Sequence, residues 1–193
     1  MRNLILIAAC LTGALVTFPG TSTLNAQTNT QKESAQPSGK EVPPDVPDRI
    51  QAPATEEVVV YAHASGSQIY TCQAAAGDRF AWTLKGPDAE LRDRKDKIIG
   101  QHSIGPSWKL KDGSEVTGKV AAKVDSLDAN SVPWLLVNVV SHSGNGLLTN
   151  VNMIQRVHTH GGQPPAEGCD AAHKDAETKS NYTADYYFYA PAK

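Results

Sequence analysis

The chain has 193 residues, 40% of them hydrophobic and 20% charged, with a formal net charge of −2 and an isoelectric point near 6.3. That balance fits one compact domain plus some unstructured sequence. It offers no basic field for nucleic acid or anionic lipid, and the 12 prolines and 15 glycines follow no collagen-like period.

Residues 1–26 read as a secretory signal peptide: Arg2 gives a positive start, residues 4–16 are apolar, and Ala26 suits the position before a cleavage site. The apolar run is too short to span a bilayer. A lipidated Cys10 behind Ile7-Ala8-Ala9 is the rival reading, but it leaves almost no apolar stretch ahead of the cysteine. No later segment is apolar enough to cross a membrane, so the expected destination is the periplasm or the medium. Once the signal is removed, Cys72 and Cys169 are the cysteines that remain. An even pair in an oxidising compartment is expected to form a disulfide, with two separate buried thiols as the alternative.

Residues 27–55 are rich in Gln, Thr, Ser, Asn and Pro, with Pro37, Pro43, Pro44, Pro47 and Pro53 punctuating them. Such a stretch buries too little surface to offset its ordering entropy and reads as a disordered or partly extended spacer. From residue 56 to residue 193 the pattern is that of a single β-rich domain. Tyr70, Cys72 and Ala74 alternate with polar neighbours, as do Phe80, Trp82 and Leu84. Val116, Val120, Ala122 and Val124 alternate in the same way, with Gly118 on their face. This period of two marks half-buried strands. Trp134 begins a nearly continuous apolar run through Val140, as expected of a strand buried on both faces. Ala76-Gly77-Asp78, Asp93-Arg94-Lys95-Asp96, Asp112-Gly113 and Ser143-Gly144-Asn145-Gly146 supply residues that tolerate tight turns. No long window has helical spacing, and residues 169–179 fit a short helix or a loop. The expected fold is all-β: an antiparallel sandwich or barrel.

Several motifs stand in a fixed order along this domain. They include Gly66-Ser67-Gln68-Ile69-Tyr70-Thr71-Cys72, Trp82, and Gly100-Gln101-His102-Ser103-Ile104-Gly105-Pro106-Ser107-Trp108. Val132-Pro133-Trp134-Leu135-Leu136, Arg156-Val157-His158-Thr159-His160-Gly161-Gly162 and Glu167-Gly168-Cys169-Asp170 follow, and the tyrosine-rich end from Tyr182 to Tyr189 closes the set. In these motifs the chain resembles the exported bacterial and fungal family catalogued as domain of unknown function 3455, over residues 58–191. The resemblance carries no activity, cofactor or site residue with it. A dinucleotide-binding role is excluded, because no Gly-x-Gly-x-x-Gly loop follows a strand.

Four constellations bear on chemistry. His158 and His160 share a strand face with Arg156 and Asn152, and with His102, His142 or Asp170 they could hold Zn²⁺ or Cu²⁺. Only two ligands stand together, so a solvated polar face is the stronger reading, and no cofactor is expected. His102 and Trp108 flank the Gly105-Pro106 turn, where a ligand contact competes with plain core packing. The sequence Gly105-Pro106-Ser107-Trp108-Lys109 lacks the closing glycine of a nucleophile elbow, and no catalytic motif is recognisable. In the last strand Tyr186 and Phe188 share one face, and Tyr187 and Tyr189 the other. One face is expected in the core, and the other is either covered or free to stack on a sugar or partner. Candidate ligand contacts are therefore His102, Trp108, Arg156, Tyr187 and Tyr189. The favoured function is a binding module for a small molecule, glycan or envelope component. A structural or interaction protein of the envelope comes second, and a hydrolase or metal-dependent enzyme built on His102, His158 and His160 third.

Overall fold

The computed structural model describes residues 41–193; the expected signal peptide, Cys10 and most of the expected spacer lie outside the described residues. Eight antiparallel strands, each paired with the next in sequence, close into one barrel. They are β1 (Glu56–Ala75), β2 (Arg79–Arg92), β3 (Ile98–Ser103), β4 (Ser107–Leu110), β5 (Glu115–Val124), β6 (Trp134–Ser143), β7 (Met153–Gly161) and β8 (Glu177–Pro191). The 20-residue β1 closes the barrel by pairing with β8 along most of its length and with β2 from His63 onward. Of the two expected architectures the barrel is the one formed. Closure removes the unpaired edges that an open sheet of this size would expose. No helix among the described residues is long and apolar enough to cross a membrane.

Each alternating segment in the sequence lies on a strand, and the four expected turns each separate consecutive strands. In the three-residue β1–β2 turn Gly77 and Asp78 have φ of 71° and 55°, left-handed conformations that Gly and Asp tolerate. Residues 169–179 contain one short 3-10 turn, Ala171–His173, capped by the Asp170 carboxylate, before β8 begins. The barrel interior is filled by small residues along β1 (Ala62, Ala64) and β8 (Ala184) against the large Leu91, Trp108, Tyr186 and Phe188. Such alternation of small and large side chains is how a narrow barrel fills its lumen.

The structure departs from the spacer reading at its end. Residues 41–55 run along the outside of the barrel, where Ile50 is fully buried with Val58, Trp134, Val157, Tyr187 and Tyr189. Gln155 Nε2 donates to the Ile50 carbonyl at 2.6 Å, and the Tyr189 hydroxyl bonds to Gln155 Oε1. Arg94 stacks over the Tyr61 ring at 3.3 Å and pairs with Glu41, tying the same segment down. One isoleucine placed over an apolar patch suffices as an anchor, and composition averaged over the segment hides it. The strap covers only the start of β6, and the expectation of burial on both faces through Val140 is corrected, since Asn138 and Val140 lie exposed beyond it. Leu135, Val137 and Val139 pack inward, while Trp134 and Leu136 face outward beneath residues 41–55.

Cys72 and Cys169 form the expected disulfide, with Cα atoms 5.3 Å apart. It ties the far end of the β1–β2 hairpin to the loop before β8. Backbone bonds from Cys72 N to Ala176 O and from Asp175 N to Cys72 O, both 2.9 Å, reinforce the junction. Trp82 Nε1 donates to the Glu167 carbonyl at 3.0 Å on the same loop.

Candidate ligand-binding site

All eight strands contribute to one cavity of about 510 Å³ at the mouth of the barrel. Gln68, Gly86, His102, Trp108, Val120, Val137, Arg156 and Tyr186 come from β1 to β8 in turn. Pro133, Leu135 and the β3–β4 turn Ile104-Gly105-Pro106 complete the wall. Two bulges shape the opening. Lys85 is the extra residue in β2 opposite Ile69/Tyr70, and Ala121 the extra residue in β5 opposite Leu136/Val137. Bulges bend a strand and re-aim its side chains, which brings Lys85, Val120 and Lys123 to the rim. Leu84, Ile104 and Val120 expose 52%, 47% and 47% of their surface there, giving the mouth an apolar collar.

The floor is built of aromatic and polar groups. His102 stacks on Trp108 with ring centroids 4.3 Å apart, and Tyr186 meets both rings edge-on. Trp108 has room to lie flat because Gly118 faces it. A Cβ there would stand 2.4 Å from Val137 Cγ1 and 3.1 Å from the indole. His102 Nδ1 lies 2.8 Å from the Ser107 carbonyl, which can only accept, so Nδ1 carries the proton and Nε2 the lone pair. Arg156 donates through Nε and Nη2 to the Pro133 carbonyl at 3.2 and 2.8 Å. It is 9% exposed, and no carboxylate among the described residues pairs with it. Gln68 Nε2, Trp108 Nε1 and Tyr186 OH are buried at the cavity and make no hydrogen bond of good geometry, although Tyr186 and Gln68 lie close to Tyr182 and Arg156. Such groups are usually satisfied in a folded protein, so three of them around one cavity point to an outside partner.

Burial pushes the His102 pKa down to about 3; its bond to Ser107 works the other way, and the Arg156 charge adds to the depression. A base whose folded pKa is depressed takes up its proton in the unfolded chain first. The unfolding free energy should therefore fall by roughly 1 kcal/mol per pH unit as the pH drops from about 6 to about 4. H102N, whose amide can still donate to Ser107 but does not titrate, should flatten that slope in urea unfolding. Parallel slopes for the two proteins would contradict a neutral, buried His102.

The structure brings His102, Trp108 and Arg156 together and leaves the other sequence candidates outside. Tyr187 and Tyr189 are buried under residues 41–55 on the barrel's outer face. They offer no free surface for a sugar or partner. His158 and His160 lie outside the barrel as well. His158 Nδ1 bonds to Asp185 Oδ2 at 2.9 Å, and His63 and Tyr61 hold the other carboxylate oxygen. His160 borders a shallow groove with Ser65, Ser67 and Asn181. The expectation that Arg156 shares their face is corrected. A bulge between Val157 and His160, with φ of 49° at His158, breaks the alternation, so Arg156 points inward while Val157 and His158 both pack on the outer side. His102 is thus separated from the other two by the sheet itself. Among the described residues, no cluster of three or more His, Cys, Asp or Glu could hold a metal ion.

Sequence reasoning missed Gln68 as a wall residue. Its signal was a polar residue in phase with the inward-facing Ala62, Ala64 and Tyr70. Lys85 and Lys123 carried no comparable signal, because bulges bring them to the mouth.

Fold and cavity define a class: a small up-and-down antiparallel barrel with an apolar mouth and polar groups converging on its floor. The chain belongs to the family described as Protein of unknown function (DUF3455), whose profile matches residues 53–190, in agreement with the motifs. Comparisons with curated proteins and with solved structures each gave no match.

Proposed function

We propose that this protein is an exported binding module that holds a small, largely apolar molecule in the mouth of its barrel. The observation that carries this reading is the coincidence of an apolar cavity with three buried polar groups that make no well-aligned hydrogen bond, Gln68 Nε2, Trp108 Nε1 and Tyr186 OH. Small-molecule sites have this composition: a mostly apolar wall with a few convergent polar atoms that fix orientation, within a volume of roughly 300–1,000 Å³. The signal-like residues 1–26 and the disulfide support export.

The test plugs the mouth without touching the floor. Leu84 and Val120 are half exposed at the rim, so the L84W/V120W double variant narrows the opening at little cost to the core. Nile red, a neutral apolar dye, should brighten on binding the native protein. Its signal should fall about tenfold or more for the plugged variant while the unfolding free energy from urea titration stays within about 1 kcal/mol. Equal dye signals in both proteins would place binding elsewhere and overturn the reading.

A further inference from the structure

The cavity carries a charge pattern that an apolar ligand alone does not use. Its lining holds three cations, Lys85, Lys123 and Arg156, and no aspartate or glutamate. Lys85 is matched outside the cavity by Glu177. Lys123 sits at the exposed rim. Arg156 is the deep one. Its guanidinium is buried at the floor and donates to the Pro133 carbonyl, which is dipolar and leaves the charge uncompensated. Burying a cation is costly unless an anion meets it, and Arg presents a planar fork that matches the two oxygens of a carboxylate.

The neighbouring groups agree. Trp108 Nε1 is a donor without an acceptor, and Gln68 Nε2 and Tyr186 OH have only poorly aligned neighbours in Tyr182 and Arg156. With the guanidinium they supply enough N–H and O–H groups for the four lone-pair sites of one ionised carboxylate. Above them the wall is apolar as far as the collar of Leu84, Ile104 and Val120. One deep cation matches a single negative charge and leaves a phosphate monoester, which carries nearly two, under-compensated.

We infer that the ligand is an apolar monocarboxylic acid, held with its carboxylate on Arg156, Tyr186, Gln68 and Trp108 and its apolar body toward the mouth. This rests on the binding reading above and adds the ligand's head group to it.

Calorimetric titration of the purified, disulfide-bonded protein with decanoate, decanol and decyl phosphate tests it. Decanoate should bind about thirtyfold or more tightly than decanol. The R156M variant, which keeps the length of the side chain and loses the charge, should abolish that preference. Y186F, which removes one oxygen from a buried ring, should weaken decanoate about tenfold and serves where R156M does not fold. Decanol binding as tightly as decanoate would overturn the head group and leave the binding reading standing. Decyl phosphate binding more tightly than decanoate would overturn the monocarboxylate assignment alone. Failure of all three probes to bind would sink the binding reading together with this inference.

Discussion

Replacing both Cys72 and Cys169 by serine is expected to lower the unfolding free energy by about 4 kcal/mol, within the usual range for a native disulfide. The two cysteines are 97 residues apart, so the bridge closes β2 to β7 into one loop. Without it the unfolded chain regains that loop's freedom, worth roughly 4–5 kcal/mol in the chain-entropy picture. The folded state loses little in exchange, because Cys72 stays held by two backbone bonds to the segment before β8. Urea unfolding at low temperature, monitored by tryptophan fluorescence, should show an earlier midpoint. Ligand binding at the barrel mouth should survive wherever the double variant is folded. A loss below about 1 kcal/mol would mean that the denatured chain is already constrained, and that the bridge is not a main source of stability.

W108A should cost a comparable amount, about 3–5 kcal/mol, for a different reason. Trp108 is 2% exposed and touches the rings of His102, Tyr186 and Phe188, with centroid distances of 4.3, 5.7 and 6.4 Å. Truncation removes the largest side chain of the lumen and opens a void that eight closed strands cannot collapse around. W108F is the informative companion. The phenyl ring retains most of the contact and discards Nε1, a buried donor with no partner. Its cost should be only about 1 kcal/mol in the ligand-free protein, since losing an unpaired donor removes a desolvation penalty. The same variant should bind decanoate more weakly. Equal losses for W108A and W108F would show that the indole nitrogen does have a partner in the folded protein.

Much of the fold is legible from residue spacing. Period-two alternation puts β1, β2 and β5 on the page, because a strand half in contact with a core must change polarity at every residue, and a nearly continuous apolar run adds β6. Gly77-Asp78 announces its turn for an equally local reason, the ease with which these residues take positive φ. The disulfide follows from counting two cysteines after a signal-like start. Residues 41–55 were less legible, because the anchor is one residue, Ile50, whose burial depends on a patch made by strands more than a hundred positions away in places.

The candidate site divides along the same line. His102 and Trp108 could be singled out because they flank a Gly-Pro turn, which is local information. Arg156 was found with the wrong companions. Sequence alternation joins it to His158 and His160, and the bulge in β7 turns it inward alone. A bulge is a single extra residue, and nothing in a lone sequence distinguishes it from regular pleating.

By itself, then, the sequence determined the family, the all-β class, the hairpin turns and the sulfur pair, since each depends on residues close together or on a simple count. The tertiary structure decided between sandwich and barrel, laid residues 41–55 against the outer wall, and gathered Gln68, His102, Trp108, Arg156 and Tyr186 around one cavity. Those outcomes depend on strand register around a closed sheet, where shifting a strand by one residue exchanges its inside and outside.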